Sequence, residues 1–251
     1  MKKYSGLLLI IHFLITGCKH SIPSIEPLKN KTFLGNYINQ SYLDAIRDSI
    51  AGTIPFYCSS ITFKSADTVE IDNGIESFTL AFTVYGDTCT LISAYNTASG
   101  LKNLYCLYIN DSVITLLDTG FTMKMIPSHF IQTNSFSPNF PIALNKITIA
   151  GKYQDAKAIN SNSIIEFTQV GKIIGLKEFI NYKICYAGDC LSEPIEPANI
   201  LLLSSKNTSE VFSWDFDKST SILHIYSLSK PSKDIKGERK VTGEFKTLKK
   251  L

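Results

Sequence analysis

The sequence has few of the residues that enzymes use for catalysis. It contains four histidines and no Gly-x-Ser-x-Gly motif, so a serine or cysteine nucleophile with an activating base is not indicated. His224 alternates with apolar residues in a segment typical of a strand, and His129 lies in a stretch rich in Pro, Asn and Ser. These absences favour a binding or interaction protein over an enzyme.

Metal and phosphate sites are also not indicated. No Cys-x-x-Cys pair occurs, and no spacing of Cys and His resembles a zinc site. The segment "VGKIIG", residues 170–175, lacks the glycine spacing of a phosphate-binding loop and is typical of a strand. We therefore expect no metal and no cofactor.

The N-terminal apolar run is too short to span a membrane. It extends from Leu7 to Ile15 and is interrupted by His12, whereas a spanning helix needs about 20 apolar residues. Two lysines, Lys2 and Lys3, precede the run, and small residues follow it. This arrangement is typical of a secretory signal peptide.

The stretch "LITGC", residues 14–18, resembles the lipobox of bacterial lipoproteins, in which small residues precede an invariant cysteine. The resemblance implies cleavage after Gly17 and attachment of acyl chains such as palmitate to Cys18. Several acyl chains, at about 0.8 kcal/mol per buried methylene, give stable anchoring. We therefore expect a signal peptide at residues 1–17 and a Pro-containing tether at residues 18–30, on a membrane-anchored protein of the bacterial cell envelope. The alternatives are an ordinary cleaved signal with a chance cysteine, or a buried apolar strand.

The predicted mature chain is almost neutral. Removal of residues 1–17 takes away two lysines and no acid, so 25 basic residues become 23 against 22 acidic ones. This is not the charge of a nucleic-acid-binding protein, and no nucleic-acid partner is expected. The segment 230–251 holds eight basic and three acidic residues, which favours a solvated last strand. Contact with an anionic surface is the alternative.

Five cysteines remain besides the lipobox cysteine. An exported protein meets an oxidising compartment, where cysteines pair. Cys185 and Cys190 enclose the turn-like sequence "YAGD" and form a candidate disulfide. The other three, Cys58, Cys89 and Cys106, cannot all pair with one another, so we expect one of them to remain a thiol.

Strand patterns dominate the first half of the chain. Short runs rich in Ile, Val, Phe, Tyr and Thr alternate with turn residues. The exception is residues 41–52, where Leu43, Ile46 and Ile50 have helical spacing, with Ser41 as a possible N-cap and Gly52 beyond the end. The predicted strands lie near residues 32–38, 55–64, 67–72, 77–85, 88–95, 103–109, 112–118 and 121–126.

A second set of strands follows a break in the pattern. Residues 127–145 begin with a segment containing three prolines and several Asn and Ser, which predicts a linker. The domains expected from this break are 31–126 and 146–251. The strands predicted in the second domain lie near residues 146–154, 163–169, 172–177, 179–186, 199–205, 210–217, 220–228 and 239–248.

The two halves have similar patterns. Each opens with Gly-x-Tyr, ending at Tyr37 and at Tyr153, and continues with about seven further strands. Eight antiparallel strands with short connections favour an up-and-down barrel, because closure removes the sheet edges. The predicted fold is therefore all-β, with two tandem small antiparallel β-barrels and one short helix in the first.

The second half resembles the lipocalin-like domains of bacterial lipoproteins. The resemblance is carried by "GKY", "IIEFTQVGKIIGL", "YKICYAGD", "VFSWDF" and "LHIYSL". It implies that Tyr153 is an aromatic plug at the floor of the barrel, with Tyr37 as its counterpart in the first half. Lipocalins proper carry Trp at this position, whereas this chain carries Tyr.

Trp214, Asp215 and Asp217 form the candidate binding site of the sequence. The two carboxylates share one face of a strand beside the indole, and paired carboxylates can hydrolyse glycosides. Asp217 is also a natural first residue for the turn "DKST". The function predicted is therefore a lipid-anchored envelope protein that binds or interacts without catalysis. The alternatives are a carrier of a small hydrophobic molecule in a barrel interior, an envelope carbohydrate hydrolase using the two aspartates, and a partner of another envelope protein.

Overall fold

A computed structural model of the protein describes residues 31–47, 49–50, 54, 57–117, 127–134, 140–157, 163–186, 199–232 and 238–251. The predicted signal peptide, the lipidation site Cys18, the tether and Cys190 lie outside these residues. Strands dominate the described part of the chain, which confirms the all-β prediction.

The first sheet is a closed antiparallel barrel of eight strands. Each strand pairs with the next, and β1 pairs with β8 to close the ring. Seven of the eight strands overlap the predicted ones, and the strand predicted at 121–126 lies outside the described residues. The strands are β1 (Gly35–Asn39), β2 (Ser60–Phe63), β3 (Thr68–Asp72), β4 (Ser77–Tyr85), β5 (Thr88–Thr97), β6 (Gly100–Asn110), β7 (Val113–Leu117) and β8 (Ser128–Thr133).

A short helix, α1 (Gln40–Ala45), follows β1 directly. Its N-cap is Asn39, whose side-chain oxygen accepts from the backbone N–H of Tyr42 at 2.9 Å. The prediction of Ser41 as N-cap was wrong, and its hydroxyl instead accepts from the backbone N–H of His129 in β8 at 2.8 Å. The last residue of β1 therefore starts the helix, and α1 is tied to the closing strand of the barrel.

Residues 127–145, predicted as a linker, contain two structural elements. β8 supplies the strand that closes the first barrel, and helix α2 (Phe140–Ile147) follows. Pro141 lies in the first turn of α2, where the missing N–H costs no helical hydrogen bond. Pro127, before β8, and Pro141, in α2, are therefore compatible with a strand and a helix here, and Pro138 lies outside the described residues.

The second sheet has eight antiparallel strands and is not closed by a ladder. Its edge strands are β11 and β12. A single bridge, between Lys172 and Asn181, connects these two edges. Next to it, Tyr182 N–H donates to Gly171 O at 2.7 Å. The spatial order is β11-β10-β9-β16-β15-β14-β13-β12. The strands are β9 (Gly151–Asp155), β10 (Ile164–Phe167), β11 (Ile173–Ile174), β12 (Asn181–Cys185), β13 (Asn199–Ser204), β14 (Ser209–Asp217), β15 (Ile222–Leu228) and β16 (Val241–Lys250).

Two hydrophobic cores form, and they divide the chain unevenly. The first barrel encloses its own core, which includes Phe33, Tyr37, Ile61, Phe63, Phe82, Leu91, Leu104 and Phe130. The core of the second sheet also takes in Tyr42, Leu43 and Ile46 from the segment of α1. Helix α2 adds Phe140 and Leu144 to it. The first half of the chain thus completes the core of the second.

Neither helix of the described residues combines the length and the apolar character needed to cross a membrane.

Candidate binding cleft

A cleft of about 530 Å³ opens where the C-terminal ends of α1 and α2 meet β14. The two helix ends lie there because both helices pack into the core of the second sheet. The apolar side of the cleft is formed by Ile46, Ile50, Ile147 and Phe216. The polar and charged lining residues are Arg47, Ser49, Thr148, Asn199, Trp214, Asp215 and Lys218.

Two of the three predicted binding residues lie in this cleft. Trp214 and Asp215 are neighbours on β14, and the alternation of a strand sends their side chains to opposite faces. Trp214 is buried in the core, with 6% of its surface exposed, whereas Asp215 is exposed opposite His224 of β15. Trp214 therefore contributes a buried indole to the cleft and Asp215 an exposed carboxylate.

The indole N–H of Trp214 is buried without an acceptor among the described residues. Buried polar groups in proteins are nearly always paired, and an unpaired one costs about 1–3 kcal/mol. Packing alone does not require this cost, since Phe would fill most of the same space without a donor. The indole N–H of Trp214 is therefore a donor that no described residue satisfies, carried by a side chain that lines the cleft.

The carboxylate of the third predicted residue, Asp217, makes its hydrogen bonds within a turn. Its carboxylate accepts from Ser219 N–H at 2.8 Å, from Ser219 Oγ at 2.6 Å and from Thr220 Oγ1 at 2.7 Å. These hydrogen bonds lower the pKa of Asp217 to about 2. Asp217 is not one of the residues that line the cleft. The structure thus brings Trp214 and Asp215 together there and assigns Asp217 to the β14–β15 connection.

Two cationic residues border the cleft and tie α1 to the second sheet. The Lys218 ammonium donates to the backbone oxygen of Arg47, just beyond the end of α1. The Arg47 guanidinium lies 3.9 Å from the Asp44 carboxylate, and both side chains are more than half exposed. Such an exposed ion pair contributes little to stability, so the Arg47 side chain can turn toward an occupant of the cleft. Sequence reasoning placed Arg47 on a helix but carried no indication that it meets β14.

The two tyrosines predicted as barrel-floor plugs lie on the first strand of each sheet. Tyr37 is 1% exposed and contacts Phe63 edge-on, with ring centroids 6.0 Å apart. Tyr153 is fully buried, and its hydroxyl donates to Ile149 O at 2.6 Å. Burial raises the pKa of both phenols. The two rings are thus core groups that are protonated at neutral pH.

A charged cluster lies on the outer side of the second sheet, on β15 and β16. His224 Nδ1 lies 3.0 Å from the Glu244 carboxylate, which also accepts from Lys157 and from Thr247. These partners lower the pKa of Glu244 to about 2. A carboxylate that stays ionised above pH 2 is unsuited to donate a proton at neutral pH. Within the described residues, no group of His, Cys, Asp and Glu has the arrangement of a metal site.

Cys185, one half of the predicted disulfide, is buried at the end of β12. Its predicted partner Cys190 lies outside the described residues, so the pairing stays a prediction.

Comparison of the chain with protein-family models, with curated proteins and with solved structures finds no significant match in any of the three. The function therefore has to be argued from the residues of this chain.

Proposed function

We propose that the protein is a lipid-anchored bacterial envelope protein that acts as a binding module, with the cleft at Trp214 as its ligand site. The observation that supports the site is the buried indole N–H without an acceptor among the described residues, on a side chain that lines a cleft large enough for a small molecule. The lipobox ending at Cys18 supports the anchor. The second sheet is the other lipocalin-like barrel, with the Lys172–Asn181 bridge as its seam.

The lining of the cleft defines the chemistry of the ligand. Isoleucine and phenylalanine side chains offer an apolar surface, and the Trp214 N–H and the Arg47 guanidinium offer donors. A small molecule with an apolar body and a carbonyl or carboxylate oxygen matches both. The indole nitrogen is buried, so neighbouring side chains have to move before a ligand oxygen can reach it. The hydrogen bond formed then removes the cost of the unpaired donor.

Trp214 is the only tryptophan of the chain, so its fluorescence reports on this cleft alone. Native mass spectrometry of protein purified in mild detergent should reveal a retained small molecule. Adding that molecule back to stripped protein should shift the emission of Trp214. A bound molecule that leaves the Trp214 emission unchanged would contradict the proposed site.

The variant Trp214→Phe tests the donor itself. It keeps the aromatic ring and removes the N–H, so affinity measured by calorimetry should fall about tenfold, the equivalent of one hydrogen bond. Tyr85→Phe is the matched control, because it removes a polar group from a side chain that is 77% exposed on the first barrel. Equal affinities of Trp214→Phe and the control would refute the role of the N–H.

The anchor is tested separately with Cys18→Ser. This variant should lose labelling by a palmitate analogue and should leave the membrane fraction, because the sulfur that accepts the lipid is gone. Continued labelling together with continued membrane association would refute the anchor and leave the cleft proposal untouched.

Two of the alternatives have less support. A carrier needs a hollow barrel, but large buried side chains pack the first barrel, with Phe63 and Phe82 centroids 5.1 Å apart, and also the core of the second sheet, with Phe167 and Tyr182 centroids 5.3 Å apart. A hydrolase needs both carboxylates at one site, but the Asp217 carboxylate is engaged by Ser219 and Thr220 in its turn and does not line the cleft that Asp215 borders. Unchanged function in an Asp215→Asn, Asp217→Asn double variant is the outcome we expect.

A further inference from the structure

Three cysteines meet inside the first barrel. Cys58, Cys89 and Cys106 belong to one core cluster, and each is 0% exposed. All three are thiols in the structure. Their separation in sequence does not indicate which two are neighbours, but the strand pairing does.

Cys89 on β5 lies directly opposite Cys106 on β6. The ladder around them is regular from Thr88 to Leu91. Tyr108 N–H donates to Asp87 O at 2.8 Å, which makes that pair a hydrogen-bonded one. Hydrogen-bonded pairs recur at every second position of an antiparallel ladder, so Cys89 and Cys106 form the next such pair.

The geometry of such a pair suits a covalent bond. Opposed residues of a hydrogen-bonded antiparallel pair have Cα atoms about 5.5 Å apart, and disulfides most often span about 5.5–6 Å. Opposed side chains also project to the same face of the sheet, which for these two is the buried interior. The Cβ atoms of such a pair lie about 5 Å apart, so the two strands have to approach by about 1 Å to reach the Cβ separation of a disulfide, about 3.8 Å.

Cys58 has no comparable position. It precedes β2, and strands β3 and β4 separate β2 from β5 in the barrel. Its backbone oxygen accepts from the Asn39 side chain at 3.0 Å, which holds this segment beside β1. Within the described residues, no ladder places its Cα atom opposite either of the other two cysteines, although the Cys58 thiol lies near enough to Cys106 to help raise the pKa of that thiol.

We propose that Cys89 and Cys106 are joined by a disulfide when the chain folds in the presence of a disulfide oxidant, and that Cys58 remains a thiol. The bond connects the two strands of the β5–β6 hairpin inside the barrel. This proposal does not depend on the ligand site or on the lipid anchor.

The chemistry is thiol–disulfide exchange with a small disulfide such as glutathione disulfide. One cysteine, as its thiolate, attacks a sulfur of the oxidant, forms a mixed disulfide and releases one glutathione thiolate. The second cysteine, as its thiolate, attacks the protein sulfur of that mixed disulfide and releases the second glutathione thiolate. The two protons lost by the cysteines end on the glutathione, which takes up the two electrons.

Burial determines when this exchange happens. It raises the pKa of Cys89 to about 12 and holds that of Cys106 well above its usual value, so both thiols of the closed barrel are protonated as well as shielded. Exchange therefore takes place while the hairpin is still open to solvent. Once the barrel closes, the same burial protects the bond from reductants.

The experiment uses the whole chain, purified in detergent and unfolded with a reductant. One portion is refolded with glutathione and its disulfide and another with reductant alone, and both are then unfolded and alkylated with iodoacetamide. Trypsin cuts after Arg47, Lys64, Lys102 and Lys124, so the three cysteines fall in separate peptides, 48–64, 65–102 and 103–124. Cys185 and Cys190 share the peptide 184–206 and do not interfere.

The expected product is a linked pair of the peptides 65–102 and 103–124, present in most chains refolded with the oxidant. It should be absent from the reductant control, and peptide 48–64 should be alkylated in both. Cys58→Ser should keep the link, and Cys89→Ser should lose it. The far-UV circular dichroism of each sample, which reports on the strands of both sheets, shows that the chain has refolded.

Two results would overturn the proposal. One is a link between peptide 48–64 and either of the other two, which would mean that Cys58 is a bonding partner. The other is recovery of Cys89 and Cys106 as alkylated thiols from chains that refolded in oxidant. Both results come from the unmodified chain, so the test does not depend on whether a cysteine variant folds.

Discussion

The two sheets have eight antiparallel strands each and differ in how they are completed. The first is closed by a ladder between β1 and β8 and surrounds a core made of its own residues. The second ends in the two-residue strand β11, and one bridge connects its edges. Its core is completed by side chains from α1 and α2. One sheet is completed by backbone pairing, and the other depends on side chains from outside the sheet.

This difference explains where the cleft lies. Helices that cover a sheet from outside leave a gap at their ends, where the backbone no longer follows the sheet surface. The cleft opens at this boundary, between the ends of α1 and α2 and strand β14. A closed barrel with an aromatic core has no such boundary inside it. The proposed ligand site is therefore a consequence of the less regular half of the molecule.

Two probes distinguish the halves. Trp214 reports on the second sheet, and alkylation of the buried thiols Cys58, Cys89 and Cys106 in reduced protein reports on the first barrel. Denaturant unfolding followed by both probes shows whether a substitution weakens one half or both. Coinciding transitions would mean that the two halves unfold as one unit.

The largest effect is expected for Tyr42→Ala. Tyr42 is 1% exposed in the second core, contacts Phe140 edge-on with centroids 5.7 Å apart, and donates to Tyr186 O at 3.3 Å. Truncating a buried aromatic side chain costs about 3–5 kcal/mol. We expect the free energy of unfolding reported by Trp214 to fall by that amount, although residue 42 belongs to the first half of the chain.

Tyr85→Ala is the matched control for this substitution, because Tyr85 is 77% exposed on the first barrel. It should change the transition at either probe by less than about 0.5 kcal/mol. Tyr42→Ala could instead lower the free energy of unfolding reported by the thiols and leave the Trp214 transition unchanged. That result would contradict the assignment of Tyr42 to the core of the second sheet.

The next effect is expected for Gly175→Ala, at the end of β11 where the chain lies against β10. Gly175 has a φ of 86°, and a Cβ atom there would lie 2.1 Å from Ile164 O. The strain of this conformation and the backbone clash together should cost about 3 kcal/mol, measured by Trp214 fluorescence. The loss arises because the backbone of β10 approaches the glycine too closely for any side chain.

Gly100→Ala measures the cost of a positive φ without the backbone clash that accompanies it at Gly175. Gly100 has a φ of 103°, but a Cβ atom there would meet nothing within 4 Å. Only the conformational cost remains, about 1–2 kcal/mol, and the thiol probe of the first barrel should report it. Equal losses for the two variants would show that the close approach of β10 to Gly175 is not important.

Local sequence patterns were sufficient to predict most of the strands. The strands near 77–85 and 88–95 were predicted because apolar alternation and the turn between them are short-range features. The turn at Asp217 was predicted for the same reason, since its partners Ser219 and Thr220 are two and three residues away. Such features need no knowledge of the fold.

Contacts between distant residues could not be predicted in this way. The sequence placed the closing strand β8 in a linker because Pro127, Pro138 and Pro141 dominate the region. Pro127 precedes β8, and Pro141 lies in the first turn of α2. The meeting of Lys218 with Arg47 joins residues 171 positions apart. The Trp–Asp pair was recognisable as a candidate site, whereas the helix ends that turn it into a cleft depend on tertiary packing.

The smallest effect is expected for Glu244→Gln, and it concerns acid stability. The folded second sheet lowers the pKa of Glu244 from its reference value of 4.5 to about 2, chiefly through Lys157, Thr247 and His224. The contribution of Glu244 to stability is therefore complete above about pH 4.5 and is lost as the pH falls toward 2. The glutamine variant cannot titrate, so it should be less stable than the natural chain near pH 7 and should lose less stability on acidification.

The measurement is the denaturant midpoint of the Trp214 transition near pH 7 and near pH 3, where the difference between the two proteins should narrow. Glu178→Gln is the control, since this side chain is exposed and makes no ion pair among the described residues. A constant difference at both pH values would mean that Glu244 stabilises the sheet through its shape and not through its charge. Because the partners of Glu244 all belong to the second sheet, the transition reported by the thiols of the first barrel should respond to acid equally in the variant and the natural chain.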